Sequence, residues 1–290
     1  MAGVRTGPQS RQGSRWINRL VGPATLAAVV LIPPVAFRTY PAPSSPGLAG
    51  GGVLTPDAGD SYTYSSSTGA MDAAALPSNT SGNLRAVFWP TGALATQDEQ
   101  SCATWAAQST WRAQQGAALR VNVQHDGAVR AVTVTKNVWF GATWIFNVHV
   151  WNSRWQRAYR QIGGFDLEST LREPSGLGAE LPWRLCARVR GTNFEFKVWR
   201  LSTPEPHWGD PAHGGSVTLP STAPARGAAG WYIGHLPPGA TASFTRLGTW
   251  AWPDPGVPPA AVPSPALVSG SINRSGPSAG VVIQGPGSPR

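Results

Sequence analysis

Between Trp183 and Leu201 the chain alternates apolar and polar residues twice, with a short glycine turn between the two runs. Leu185, Ala187 and Val189 alternate with Arg184, Cys186, Arg188 and Arg190. After Gly191, Thr192 and Asn193, the residues Phe194, Phe196 and Val198 alternate with Glu195, Lys197 and Trp199. Successive side chains of a strand point to opposite faces, so this period of two predicts a hairpin with one core face and one wetter face. A sheet so patterned is antiparallel and leaves a face open to water or to a partner.

Further strands are expected at Leu84–Trp89, Ala117–Gln124, Val129–Lys136, Thr143–Trp151, Arg154–Phe165, Trp231–Leu236 and Ala242–Trp250. Asp126-Gly127 between two of them is a hairpin signal, because tight turns need the positive φ that these residues tolerate. Asn152-Ser153 reads as another turn. Only Gln97–Gln115 is expected to be helical, with Asp98 and Glu99 in its first turn and Gly116 at its end. About nine strands and one short helix predict an all-β, two-sheet antiparallel sandwich.

Outside that region the composition changes. Arg5, Arg11, Arg15 and Arg19 precede an uncharged apolar run over 20–37, the pattern of a signal peptide or a membrane anchor with everything beyond Arg38 outside. Residues 1–38 are therefore read as a leader, cleaved or retained. Residues 39–81, rich in Pro, Gly, Ser, Ala and Thr, are read as a flexible linker, and 253–290 as a disordered tail. The folded unit is expected over 82–252, in an extracellular or cell-envelope setting.

The net charge of +9 is uneven: residues 81–250 hold 16 basic and 10 acidic residues, and most of the bases are Arg. Arginine favours planar contact with carboxylate, sulfate or phosphate. No Lys/Arg run or nucleic-acid motif occurs, so nucleic acid is not expected as a partner. Cys102 and Cys186 have neither C-x-x-C spacing nor a neighbouring His pair. In an exported chain they are expected to form one disulfide, pinning the segment from Ser101 to Trp111 over the face that bears Arg184, Arg188 and Arg190. No metal site and no cofactor are expected, since the five His are scattered and no phosphate-binding or dinucleotide fingerprint is present.

Thirteen of the 14 Trp lie between Trp89 and Trp252. Trp is a rigid apolar plate with one donor, suited to stacking on a sugar ring, although most of these are expected in the core. Trp144, on the face of Phe146, Val148 and Val150, is one of the core set. The opposite face of that strand carries Asn147, His149 and Trp151, and beyond the turn Trp155, Arg157, Tyr159 and Gln161 continue a polar and aromatic row. Asp166 and Glu168 stand at i, i+2 spacing and are the candidates for a catalytic carboxylate pair.

The run W-R-L-x-x-R-V-x-G, a strand ending K-V-W, a loop with P-x-x-W and then G-W-Y-I-G resembles the concanavalin A-like lectin/glucanase jelly roll, in its laminin-G-like and secreted bacterial branches. Trp183, Arg184, Gly191, Lys197, Val198, Trp199, Pro206, Trp208, Gly230, Trp231 and Gly234 carry the resemblance, which covers about a quarter of the chain. It implies a jelly roll whose open concave sheet binds glycans. Placed on that sheet, Asn147, His149, Trp151, Trp155, Arg157, Tyr159, Arg184 and Arg188 form the expected ligand-binding set. The implied function is an exported, envelope-associated lectin-like domain that binds polysaccharide or another anionic envelope polymer without catalysis, tethered to the membrane if the leader is retained. The alternatives are a laminarinase-like glycoside hydrolase using Asp166 and Glu168, and a structural or adhesive surface protein that binds a protein partner.

Overall fold

The computed structural model describes residues 48–55, 60–67, 69–90, 92–138, 144–171, 181–252 and 269–272. Fifteen strands and one four-residue helix are present among them. In chain order the strands are β1 Leu48–Thr55, β2 Tyr62–Ser67, β3 Ala70–Ala75, β4 Arg85–Pro90, β5 Asp98–Gln108, β6 Gln114–Val123, β7 Val129–Lys136 and β8 Ile145–Asn152. They continue with β9 Tyr159–Asp166, helix α1 Glu168–Leu171, β10 Trp183–Arg190, β11 Asn193–Arg200, β12 Gly214–Thr218, β13 Ala228–Gly234, β14 Thr241–Trp252 and β15 Ser269–Ile272.

The strands form two antiparallel sheets, ordered β1-β4-β13-β6-β7-β8-β9 and β12-β11-β10-β5-β14-β3-β2-β15. This is an all-β jelly-roll sandwich, as the sequence predicts. Its core is the set of inward residues that the alternation marks: Leu185, Ala187 and Val189 of β10, Phe194, Phe196 and Val198 of β11, and Phe146, Val148 and Val150 of β8 are all buried. Trp144 packs against the same cluster. The β6–β7 hairpin turns at Gly127, whose φ of 79° is the left-handed conformation that glycine adopts without a Cβ clash. Trp231 of β13 donates its Nε1–H to the carbonyl of Cys102 on β5 at 3.0 Å, tying the sheets together mid-core.

Three expectations need correction. Residues 98–108 form β5, not the first half of a helix over Gln97–Gln115, and β5 lies between β10 and β14 at the centre of its sheet. Its inward set includes Glu99, Ser101, Ala103 and Trp105, so polar and small residues hide the period of two. Ser101 donates to the carbonyl of Gly230, and Oε1 of Glu99 accepts the backbone N–H of Arg120. Tertiary pairing overrides the local helical cues here.

Secondly, the segment read as a flexible linker over 39–81 contains β1, β2 and β3. Tyr62, Tyr64 and Met71 are core residues, and the Tyr62 hydroxyl donates to the carbonyl of Leu84 at 2.7 Å. Small residues alternating with a few large ones are enough when the strands add to the edge of an existing sheet. Thirdly, β15 lies within the segment read as a disordered tail and pairs with β2. The leader over 1–38 lies outside the described residues, among which no helix is long and apolar enough to cross a membrane.

Cys102 and Cys186 do form a disulfide, with Cα atoms 4.1 Å apart. They are directly opposite each other on neighbouring strands β5 and β10. The bond therefore cross-links two strands of one sheet and does not pin a covering segment over that face.

Candidate functional site

The seven-stranded sheet curls, and its outward face is concave. β1 and β7 are separated by three strands in the sheet, yet a methyl group placed on Gly52 of β1 would come within 2.9 Å of Cγ2 of Val129 on β7. The closest approach is thus set by a residue without a side chain. Leu54, Val87, Ala118, Val129, Ala131, Trp151 and Tyr232 make a second apolar cluster on this concave side, separate from the core between the sheets. Trp89 and Tyr159 pack against it.

Beside this cluster lies a cavity of about 180 Å³. Asn147, His149 and Trp151 reach it from β8, because the alternation that buries Phe146, Val148 and Val150 turns them outward. Tyr159 and Gln161 come from β9, Gln114 from β6, Tyr232 from β13 and Arg85 from β4. Asn137, Val138 and His235 complete the wall from flanking loops. The aromatic rings brace one another: the His149 and Tyr159 centroids are 4.9 Å apart, Trp151 and Tyr159 5.0 Å, and Trp151 and Tyr232 6.2 Å.

Hydrogen bonds hold the polar groups in place. Gln161 donates from Nε2 to Oδ1 of Asn147 at 3.2 Å, and the Tyr232 hydroxyl donates to Oε1 of Gln114 at 2.6 Å. Gln114 in turn donates to the carbonyl of Lys136 at 2.8 Å, and Trp151 donates from Nε1 to Oγ1 of Thr133 at 2.8 Å. Arg85 is held by Oγ1 of Thr55 at 3.1 Å.

Electrostatically the site is one-sided. Burial, reinforced by the charges of Arg85 and Arg157, pushes the His149 imidazole down to about 4, so it is neutral at pH 7. Burial and Arg85 push His235 down to about 4 as well. Burial raises the Tyr232 hydroxyl far above its ordinary value, which leaves it a neutral donor. A second, wider cavity of about 580 Å³ adjoins the first and shares Tyr159 and Gln161 with it. Its other lining residues are Trp155, Arg157 and Arg160. The Arg157 guanidinium lies 4.8 Å over the Tyr159 ring, and one of its nitrogens is 3.3 Å from the tyrosine hydroxyl.

Six of the eight sequence-predicted binding residues are therefore brought together: Asn147, His149 and Trp151 at the inner cavity, Trp155 and Arg157 at the outer one, and Tyr159 between the two. Their setting differs from the expectation in two respects. β9 begins at Tyr159, not Arg154, so Trp155 and Arg157 stand on the β8–β9 loop and not on a strand face. Trp151 is only 2% exposed. It serves as floor, and the accessible aromatic surface is that of Tyr159 and Trp155.

Arg184 and Arg188 are not part of this site. Both project from β10, which belongs to the eight-stranded sheet, on the opposite side of the sandwich. Arg184 donates to Oγ1 of Thr104 at 3.1 Å and to the carbonyl of Arg246 at 3.0 Å. Arg188 pairs with Glu195 at 2.6 Å and lies 4.1 Å over the Trp208 ring. They help to build an outer layer of Trp199, Trp208 and Trp250 over the disulfide.

Asp166 and Glu168 do not share a strand face either. Asp166 ends β9 and Glu168 opens α1, and Oδ1 of Asp166 accepts the backbone N–H of Glu168 at 2.9 Å. Neither lines either cavity. The pair caps a turn.

Arg85, Gln114, Tyr232 and His235 were not singled out from the sequence. A signal for two of them exists: Arg85 alternates with inward Ala86 and Phe88, and Tyr232 sits between inward Trp231 and Ile233. Which sheet each strand joins, and hence that these side chains meet His149, is not visible in one dimension.

No family model matches this sequence, and no curated protein matches it. Solved structures of similar shape include the carbohydrate binding module CBM66 from Bacillus subtilis, with 10% identity and a TM-score of 0.41 over 70% of this chain and 96% of that one. The exoplasmic/lumenal domain of VIP36 in its Ca2+/Man3GlcNAc-bound form has 9% identity and a TM-score of 0.43 over 69% and 85% of the two chains. A protein of unknown function with a galectin-like fold from Bacillus subtilis has 8% identity and a TM-score of 0.36 over 70% and 95%. At these identities and scores the likeness assigns neither a family nor a ligand to this chain.

Proposed function

We propose that the chain is an exported lectin-like domain that binds polysaccharide in the concave face of its seven-stranded sheet, without cleaving it. The observation that carries this reading is the cavity between Tyr159, His149, Gln114 and Arg85. At about 30 Å³ for each water in the liquid, its 180 Å³ is room for about six waters, a volume on the order of one sugar ring. Its walls combine amides, guanidinium and tyrosine hydroxyl with aromatic rings, the mixture that satisfies a polyhydroxyl ligand through hydrogen bonds and ring stacking.

Binding without turnover is favoured by the lining itself. Glycoside hydrolysis commonly uses two carboxyl groups flanking the bond, and among the described residues no Asp or Glu lines either cavity. Export is supported by the Arg-rich start followed by an uncharged apolar run, and by the disulfide, which persists in oxidising compartments. Polysaccharide of the cell envelope is then the accessible ligand class.

The test is a pull-down of the full chain on insoluble wall polysaccharides together with a soluble glycan array, comparing wild type with Tyr159→Ala and Gln161→Ala. Retention by wild type and a loss of about tenfold in affinity in each variant are expected, the latter from hydrogen bonds and stacking worth about 1–1.5 kcal/mol. Retention that both variants preserve in full overturns the assignment of the site. Failure of wild type to bind any glycan overturns the function.

A further inference from the structure

The charges around the two cavities carry the reading one step further. Arg85 stands at the inner cavity, and Arg157 and Arg160 at the outer one, while among the described residues neither lining contains a carboxylate. Among the described residues none of these three guanidiniums is in an ion pair, whereas Arg154, Arg188 and Arg190 all reach an Asp or Glu. Both His residues in the wall feel the same field, since Arg85 disfavours protonation of each. A concave surface bearing one sign of charge focuses its potential into the groove, and unpaired arginines there select oxyanions in planar, two-pronged geometry.

The two cavities adjoin at Tyr159 and Gln161, which belong to both linings. Arg160, opposite inward Val150 in the β8–β9 register, and Trp155, which packs against the inter-sheet core, reach the outer cavity at the β9 edge, so a ligand seated against His149 and Trp151 and extended past Tyr159 would place its next unit at that edge, beside the Arg157 and Arg160 guanidiniums. A monosaccharide would leave the outer cavity empty.

Resting on the proposed glycan-binding reading, we infer that the site takes an acidic oligosaccharide, one carrying a carboxylate or sulfate on its sugar units, across two subsites. The inner subsite holds one unit between Tyr159, His149 and Arg85, and the outer subsite holds the neighbouring unit with its oxyanion on Arg157 and Arg160. Neutral glucans satisfy the amides but leave three unpaired cations in the groove.

Titration calorimetry on the full chain tests this with matched oligosaccharides. The probes are tetramers of galacturonate, glucuronate and mannuronate, each beside its twin with the carboxyls reduced to alcohols, a sulfated galactan tetramer beside its desulfated form, and neutral gluco-oligosaccharides. At least one acidic probe is expected to bind tenfold or more tightly than its uncharged twin, with affinity falling as salt rises. Which series binds distinguishes carboxylate from sulfate. Arg157→Gln and Arg160→Gln are each expected to weaken the acidic probe by about tenfold and its uncharged twin by much less; both side chains are exposed, so the fold tolerates the change. Equal affinity for acidic and uncharged twins, or acidic binding untouched by both substitutions, overturns the inference and leaves the glycan-binding reading intact. Binding of neutral probes alone does the same. No binding of any probe, acidic or neutral, overturns both.

Discussion

Lys136 shows how a single residue can oppose the fold that contains it. It shares the inward face of β7 with Val132 and Val134 and is 3% exposed. Its ammonium donates to the carbonyl of Asn137 at 3.2 Å and lies 5.8 Å from the Trp105 ring and 6.0 Å from the Trp144 ring. Burial lowers its pKa to about 8 from an ordinary 10.5. The unfolded chain keeps this proton up to pH 10.5 and the folded chain only up to about 8, so between these values the unfolded state binds more protons and stability rises with pH. Below pH 8 the full cost is present, roughly 3 kcal/mol at 1.36 kcal/mol per unit. Lys136→Met is therefore expected to raise the urea midpoint at pH 7 and to remove the gain in stability between pH 8 and 10.5. An unchanged midpoint, or a pH dependence like that of wild type, would show that the carbonyl and ring contacts fully offset the burial.

Among elements, the β5–β10 pair is the most heavily tied. The disulfide closes a loop of 84 residues in sequence, and Trp199, Trp208 and Trp250 pack over it on the outer face of the sheet. In the chain-entropy account such a link stabilises by about 4 kcal/mol. The double substitution Cys102→Ala and Cys186→Ala is expected to lose about that amount in chemical denaturation, with wild type under reducing conditions behaving alike. The sheets should still form, because inward Ala103, Trp105, Leu185 and Ala187 are untouched. Equal stability of oxidised and reduced wild type would contradict this. The neighbouring strands also show why β5 escaped the sequence reading. Hydrophobic periodicity reports only apolar burial, and β5 buries Glu99 and Ser101 against named partners on the facing sheet. β10 and β11, which bury only apolar side chains inward, were read to within a residue.

For the whole molecule, the edge strands are the main surprise. β1 to β3 add to both sheets, bring Leu54 to the concave side and Tyr62, Tyr64 and Met71 to the core. A chain beginning at Gly82, the expected domain boundary, is predicted to expose the flanks of β4 and β14 and to aggregate, whereas one beginning at Leu48 should unfold cooperatively. Comparison of the two by size-exclusion and thermal denaturation decides it; a monomeric, cooperative shorter chain would show these strands to be dispensable. What the amino-acid order alone determined is the class of fold, the inward face of most central strands, the disulfide partners and the outward row of Asn147, His149, Trp151 and Tyr159. Those follow from local alternation, a two-residue periodicity that each strand carries in itself. Only the tertiary structure decided which rows meet. It put Arg184 and Arg188 on the far side of the sandwich and brought Arg85, Gln114 and Tyr232 to His149. It also curled β1 until Gly52 reached Val129, because strand order and sheet curvature arise from contacts between residues distant in sequence, which no local pattern encodes.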